Sequence, residues 1–272
     1  MNLFIFICQQ TLIFLVPLLL VGLGDLFSER SGVLNIALEG IMVFGAFAGI
    51  MFIRSASAAM PSWLVLLIAI LISILAGILL SALHAFASIH LKAEQTISST
   101  AIITFATAFC IFYARVMLGT EQVVFRNTFR IDAVPLLSKI PVLGPILFQK
   151  AYVTTYLGIL VLIVTAFILK RTRFGLRLRS CGENPQAADS VGISVYKMRY
   201  SGVLISGALA GLGGLVFILP TTTTYTASVS GYGFLAMSVV VFGQWKPWGI
   251  ALGALFFGLT KTIAASYSVI PF

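Results

Sequence analysis

Charge is scarce in this sequence. Only 9% of its 272 residues are charged and only eight are acidic, whereas 60% are hydrophobic and the mean hydropathy is +1.08. An ordinary soluble domain carries about 25% charged residues, so a soluble fold is excluded. Several apolar runs reach the ~20 residues with which a helix crosses a bilayer. The composition therefore predicts an all-α membrane protein that crosses the bilayer several times.

The sequence also lacks the patterns that catalysis, metal binding or nucleotide binding would need. Its three cysteines, Cys8, Cys110 and Cys181, include no C-x-x-C pair, so neither a disulfide framework nor a metal site is supported. No G-x-x-x-x-G-K-[ST] motif occurs, which excludes a phosphate-binding loop of that type. No nucleophile is placed in a pattern with a general base. We expect a protein that is not an enzyme and that holds no cofactor or metal of its own.

The N-terminal apolar run lacks the positive start of a signal peptide, because the first basic residue is Arg30. We therefore interpret residues 3–23 as a retained span. The next stretch, 24–32, mixes glycines with Asp25, Glu29 and Arg30, and two models fit it. It is either a short aqueous loop, or a break at membrane depth followed by a half-helix that starts near Ser31. Such a break is tolerated only against protein or a water-filled cavity. We favour the break, which would place the stretch on a transport path.

Further apolar runs predict spans at 63–87, 96–118 and 152–169. The proline-bearing segment 121–150 should lie outside the cell, with its 136–148 portion at the outer interface. After residue 199 the spans become rich in glycine. Gly207, Gly211 and Gly214 give a small-residue pattern that lets helix backbones approach closely, and the polar run that follows should lie at the outer end. In total the sequence predicts about eight transmembrane helices, some of them discontinuous, in a single permease-like domain over residues 1–272.

Basic residues are concentrated in the polar loop 170–199, which holds seven of the seventeen: Lys170, Arg171, Arg173, Arg177, Arg179, Lys197 and Arg199. Loops rich in Lys and Arg between spans stay in the cytoplasm. The net charge of +9 is explained by this orientation, so we expect the lipid bilayer as a partner and no nucleic acid.

The middle of this loop predicts a short helix with defined ends. Asn184 is suited to cap it, Pro185 suits its first position, and Gly192 is a natural stop. Such an element on a cytoplasmic surface is suited to contact another protein. The alternative is a solvated basic loop that only sets the topology.

Lys261 is an unusual charge in the last apolar run. It follows Pro247 by fourteen residues, about 21 Å along a helix. A charge inside the membrane that faces the bundle is a candidate for function. The alternative is that its side chain reaches outward to the interface.

Three stretches together resemble the permease subunits of ABC importers for branched-chain amino acids, ribose and nucleosides: ERSGVLNIALEGIMVFGAFAG at 29–49, RTRFGLRLRSCGENPQAADSVGISVYKMRYSGVLISGALAGLGG at 171–214 and GYGFLAMSVVVFGQWKPWGIALGALFFG at 231–258. The segments SGVLNIALEG and GENPQAADSVGI are most similar to the corresponding segments of the nucleoside, or simple-sugar, permeases. These stretches cover about a third of the chain, in the expected order and spacing.

The resemblance implies a type II importer transmembrane fold and a division of labour. Two permease subunits, non-identical in this branch, enclose a path in the bacterial cytoplasmic (inner) membrane. Two ABC ATPase subunits bind Mg-ATP, and an extracytoplasmic solute-binding protein delivers the solute. The segment 183–192 then corresponds to the coupling helix that meets the ATPase, and its residues include Gly182, Glu183, Asn184, Pro185, Ala187, Ala188 and Gly192.

Two features depart from the family pattern. The fourth span reads STAIITFATAFC, where relatives show an Asn and then a run rich in Leu and Gly, so the lining of the path there is in question. The sequence also ends at Phe272, where relatives have one more span, and we expect that this last helix is missing or that this member is shorter.

The resemblance makes a nucleoside the expected solute. Its hydroxyls and base edges need hydrogen-bond partners, which Asn35, Glu39 and the 221–224 run, with Thr222, could supply along the path together with Lys261. Glu39 could instead be a structural partner of Arg30 or Lys261. The alternatives for the whole chain are a branched-chain amino acid or simple-sugar permease, and an ion-coupled secondary transporter that uses Glu39 or Lys261.

Overall fold

The described part of the chain is almost entirely helical. The structure, a computed structural model, describes residues 3–56, 60–125, 129–133 and 149–266. These ranges contain the helices α1 (Leu3–Arg30), α2 (Leu38–Ser55), α3 (Ser62–Ala85), α4 (Gln95–Leu118), α5 (Val153–Arg171), α6 (Arg173–Glu183), α7 (Pro185–Ser190), α8 (Val195–Thr221), α9 (Tyr232–Phe242) and α10 (Pro247–Ser266). A π-helical turn, Phe86–His90, extends α3.

Seven of the described helices are long and apolar enough to cross a membrane, namely α1 to α5, α8 and α10. α9 is apolar but has only 11 residues. That is about 16 Å of helix, roughly half of the ~30 Å hydrocarbon core of a bilayer. The prediction of an all-α membrane protein with about eight helices is confirmed, and α9 is a discontinuous one.

Residues 24–30 do not form the loop or the break that the sequence predicts for residues 24–32. α1 continues through them to Arg30, because residues 16–28 are buried and α1 packs against α8, α9 and α10. Gly24 serves this packing, since a Cβ there would lie 3.0 Å from Ser206 O. Tertiary contact thus outweighs the low helix propensity of glycine.

The irregular segment lies at residues 31–37 instead. The helix predicted to start near Ser31 is α2, and it begins only at Leu38. His84 of α3 holds the segment, because its Nε2 bonds Leu34 O at 3.0 Å. The predicted order of broken backbone followed by helix is therefore right, but its position was wrong by several residues.

α8 lies at the centre of the bundle and packs against α1, α2 and α3. Its glycines make this possible. A Cβ on Gly214 would lie 2.1 Å from Met42 O, and one on Gly207 would lie 2.6 Å from Gly77 O. The predicted close approach of helices along the glycine pattern is confirmed.

The bundle has two distinct ends. The basic loop, with α6 and α7, lies at one end. The other end carries two antiparallel pairs, in which β1 (Val123–Val124) pairs with β4 (Thr224–Tyr225) and β2 (Arg130–Ala133) pairs with β3 (Gln149–Tyr152). Residues 221–224 thus lie opposite the basic loop, as the sequence predicts. The segment 136–148, expected at the outer interface, lies outside the described residues.

A side-chain cap begins α4. The carboxylate of Glu94 accepts hydrogen bonds from Thr96 N and Ile97 N, each at 3.1 Å. The pKa of Glu94 is lowered below its ordinary value of 4.5 by three hydrogen bonds. The largest effect comes from the Thr96 side chain, and the backbone N–H groups of Thr96 and Ile97 add to it. The carboxylate is therefore held in its charged form at the positive end of a helix.

We expect Glu94→Ala to loosen the first turn of α4 without disturbing the bundle. Because the pKa of Glu94 is lower in the folded state, its capping contribution is complete above pH 4.5 and is lost as the pH falls through the folded value. Amide exchange protection at residues 96 and 97 measures this, with Glu121→Ala as the control for an exposed acid. Equal protection in the Glu94 variant and the unmodified chain at neutral pH would contradict the capping role.

Candidate functional site

The short helix α7 has the ends that the sequence predicts. Asn184 Oδ1 accepts a hydrogen bond from Ala187 N at 3.0 Å, and Pro185 is the first helical residue. Gly192 has a φ of +81°, a left-handed conformation that favours glycine, and its N–H donates to Asp189 O at 2.9 Å. α7 is therefore a compact element with a side-chain cap at its N-terminus and a hydrogen-bonded turn at its C-terminus.

α7 protrudes from the helix bundle. Ala188 is buried, and most of the other residues from 186 to 192 are exposed. Val191 is 73% exposed, and Leu176 on the preceding α6 is 63% exposed. These exposed apolar side chains on either side of α7, beside basic residues, make the surface around α7 suited to another protein.

The sequence predicts a polar loop where the structure has α6. Gly175, Leu178 and Cys181 are buried at a spacing of three residues, which is the periodic signal that could have revealed the helix. Thr172 caps it by accepting from Gly175 N at 3.2 Å. At its far end Gly182 packs against α1, since a Cβ there would lie 2.4 Å from Arg30 O.

The end of α1 bonds to two other elements at this surface. Arg30 Nη1 donates to Glu183 Oε1 at 3.4 Å, and Arg30 Nη2 donates to Trp245 O at 3.0 Å. The indole N–H of Trp245 donates to Glu29 Oε2. The sequence gives no signal for these contacts, because the partners are far apart in the chain.

A cavity of about 940 Å³ opens beside these residues. It is lined by the end of α1, residues 32–34, the start of α4, the end of α6 and α9 with the turn that follows it. Its polar lining includes Arg30, Gln95, Arg179 and Glu183.

Glu39 holds the start of α9. Its Oε1 accepts from Gly231 N at 2.9 Å and its Oε2 accepts from Gly233 N at 2.7 Å. Gly231 has a φ of +78°. A carboxylate bound to the free N–H groups of a helix N-terminus is stabilised both by hydrogen bonding and by the helix dipole. Glu39 has a structural partner, as one reading of the sequence allowed, but that partner is a helix terminus. The salt bridges found among the described residues do not include Glu39.

We expect Glu39→Gln to leave the bundle assembled but to lower its thermal stability, because the amide NH₂ cannot accept from the second N–H. An unpaired buried donor costs about 1–3 kcal/mol. Thermal unfolding of the purified protein measures the loss, with Glu121→Gln as a matched exposed control. An unchanged unfolding temperature for Glu39→Gln would show that α9 does not depend on this carboxylate.

Asn35, Thr222 and Lys261, the other predicted path residues, each have a different neighbour. Asn35 is buried, and its Nδ2 donates to Ser206 Oγ at 3.0 Å. Thr222 bonds locally to Thr224 O at 2.8 Å. Lys261 is exposed, with its Nζ 6.0 Å from the ring centroid of Tyr232. Because Tyr232 lies between the two glycines that Glu39 binds, Lys261 and Glu39 approach the same end of α9.

Several buried polar atoms have no hydrogen-bond partner among the described residues, including both carboxylate oxygens of Asp25 and Asn35 Oδ1. Asp25 is fully buried in α1, where an unpaired charge is costly. Asn35 Oδ1 is a hydrogen-bond acceptor without a partner, and it lies near the middle of the 27-residue α8, because Asn35 Nδ2 is bonded to Ser206 of that helix. No group of three or more His, Cys, Asp or Glu side chains in the described ranges could hold a metal ion.

Comparison with known proteins is consistent with this architecture. The family model described as "Branched-chain amino acid transport system / permease component" matches residues 7–271. The guanosine ABC transporter permease protein NupQ of Bacillus subtilis (strain 168) is 44% identical over 97% of this chain and 83% of the relative. No solved structure gives a significant match.

Two other relatives are similar over most of their length. The nucleoside ABC transporter permease protein NupC of Lactococcus lactis subsp. cremoris is 40% identical over 97% of this chain and 84% of the relative. The putative glucose ABC transporter permease protein TsgC13 of Haloferax volcanii is 36% identical over 90% of this chain and 73% of the relative. With its multi-pass helical bundle and a family match over nearly its whole length, the chain belongs to the ABC transporter permease family and is a membrane transport component.

Proposed function

We propose that this chain is a translocation subunit of an ATP-driven nucleoside importer in the bacterial cytoplasmic membrane. Two ABC ATPase subunits bind and hydrolyse Mg-ATP in the assembly. A second, non-identical permease subunit completes the path, and an extracytoplasmic binding protein delivers the solute. This chain couples the ATPase to the path through residues 182–192.

The observation that carries the proposal is the construction of α7. It is capped at Asn184, stopped at Gly192 and exposed beside Val191. Its base is fixed to the bundle by the contact of Gly182 with α1. A short helix that is capped, closed by a turn and anchored at one end moves as a unit, which is what a mechanical contact with an ATPase requires.

Nucleosides are favoured as the solute because NupQ is named for guanosine and NupC for nucleosides. A nucleoside carries no net charge and offers hydroxyls and base edges for hydrogen bonding. We place Asn35, Thr222 and Lys261 along its path. Glu39 contributes by fixing α9 rather than by binding the solute, since its two oxygens already accept from α9.

Transport into vesicles tests the proposal. The chain is reconstituted with its ATPase, its partner permease and its binding protein, and a panel of guanosine, uridine, leucine and glucose is offered. We expect uptake of nucleosides that requires ATP and stops when the ATPase is omitted. Uptake of leucine or glucose alone would show that the solute is not a nucleoside. Uptake driven by an ion gradient without ATP would overturn the proposal.

A further inference from the structure

The base of α7 and the end of α9 are joined through two consecutive residues of α1. Arg30 bonds Glu183, the residue before the α7 cap, and also the backbone carbonyl of Trp245, at 3.4 Å and 3.0 Å. Glu29 accepts from the Trp245 indole. Trp245 lies in the turn between α9 and α10, so the bonds connect three elements that are distant in the chain.

α9 is held at both ends by these and earlier contacts. Glu39 binds its N-terminus, and the turn after its C-terminus is bound to α1 through Trp245. Gln244 and Trp245 have φ values of +51° and +52°, which are unfavourable for residues other than glycine. Such a turn keeps its shape only while surrounding contacts hold it.

The cavity of about 940 Å³ lies between the two elements that Arg30 joins. Phe234, Met237, Ser238 and Val241 of α9 line one wall, at the spacing of one helix face, and Arg179 and Glu183 of α6 line another. A displacement of either wall therefore changes the width of the cavity.

We propose that Arg30 and Trp245 are positioning residues that transmit the displacement of α7 to α9 and so change the width of this cavity on the side of the ATPase. The proposal rests on the proposed function and adds to it the route by which α7 acts on the path. The guanidinium is suited to the role, because its planar fork presents two N–H groups to different partners at a fixed angle. A lysine ammonium lacks that geometry.

The Arg30–Glu183 pair contributes little to the stability of the fold. The Glu183 side chain is 76% exposed and that of Arg30 is 28% exposed, and exposed ion pairs are screened by solvent. Variants at Arg30 are therefore expected to fold, and their effect falls on the coupling between elements.

The test uses the complete reconstituted transporter with Arg30→Lys, Trp245→Phe and the double variant. We expect each single variant to raise the ATP hydrolysed per nucleoside imported about five- to tenfold, within the usual range of coupling between sites. Trp245→Phe removes the bond of the turn to Glu29, and Arg30→Lys removes the fork that bonds the same turn to Glu183. Because the proposed route needs both bonds, the double variant should add little. Arg54→Lys is the matched control, since Arg54 Nη1 also donates to a backbone carbonyl, at Val124 O, but at the opposite end of the bundle.

A second readout does not depend on the solute. Spin labels on Arg179→Cys of α6 and Ser238→Cys of α9, which line the cavity on its two walls, report its width in the complex with and without ATP, in a background without the native cysteines. We expect the distance to change in the unmodified background and to stay fixed in the Arg30→Lys variant. A complex that imports nothing on ATP contradicts the proposed function. The inference alone is overturned if the unmodified complex imports normally and the Arg30→Lys and Trp245→Phe complexes give the same ATP cost and the same label distances. It is also overturned if the effects of the two substitutions on the ATP cost are independent and add in the double variant.

Discussion

Gly211→Ala is expected to prevent normal assembly of the bundle, although alanine favours helix over glycine by about 1 kcal/mol. A Cβ at this position would lie 2.3 Å from Ser73 O and 3.0 Å from Gly77 Cα. These are backbone atoms, so no side chain can rotate away to make room. Gly45 of α2 faces the same point, since its own Cβ would lie 2.4 Å from Gly211 Cα. The change therefore forces α2, α3 and α8 apart where they meet.

Size-exclusion profiles and thermal unfolding of the purified protein measure the effect. Overpacking of a core costs about 1–3 kcal/mol and sometimes more, and the backbone contacts place Gly211→Ala at the upper end or beyond. Gly253→Ala in α10 is the matched control, because a Cβ there would lie 3.3 Å from its nearest neighbours, the Val239 side chain and carbonyl. A Gly211→Ala variant as monodisperse and as stable as the control would refute this account of the helix contacts.

Glu183→Ala combined with Asn184→Ala is expected to reduce ATP-driven uptake to roughly a tenth or less while ATP hydrolysis continues, a loss within the range of coupling between sites. Loss of a helix N-cap costs about 0.5–2 kcal/mol. α7 has only 6 residues, and a helix that short has little stability of its own. The change should therefore disorder α7 without affecting the spans.

Uptake and hydrolysis are measured on the same vesicles. Asn184→Asp is the control, because aspartate also caps helix N-termini, and it should keep most of the uptake. Unchanged uptake in the double variant would exclude α7 as the coupling element.

The glycines show why the sequence placed some breaks wrongly. Gly24 and Gly32 both suggested irregular backbone, but Gly24 lies inside α1 against Ser206, whereas Gly32 has a φ of +84° and follows the helix end. The same residue type serves close packing at one position and a left-handed turn at the other. Which role applies depends on whether another backbone approaches, and a single sequence does not state that.

α9 illustrates the same limit for hydropathy. Residues 232–242 are apolar enough to form part of a complete membrane span. The helix is short because the turn with Trp245 follows its C-terminus and Glu39 binds its N-terminus. Glu39 and Gly231 are separated by 192 residues, and Arg30 and Trp245 by 215.

The sequence by itself determined that the chain is a membrane protein of helices, that the 170–199 loop carries the basic charge, and that a capped helix begins at Pro185. These features depend on composition and on residues within a few positions of one another, such as Asn184 and Ala187 at 3.0 Å. Only the tertiary structure decided where α1 ends, that α9 is half a span, and that Arg30 joins α6 to the turn after α9. Those outcomes depend on contacts between distant segments, which form only once the helices have packed.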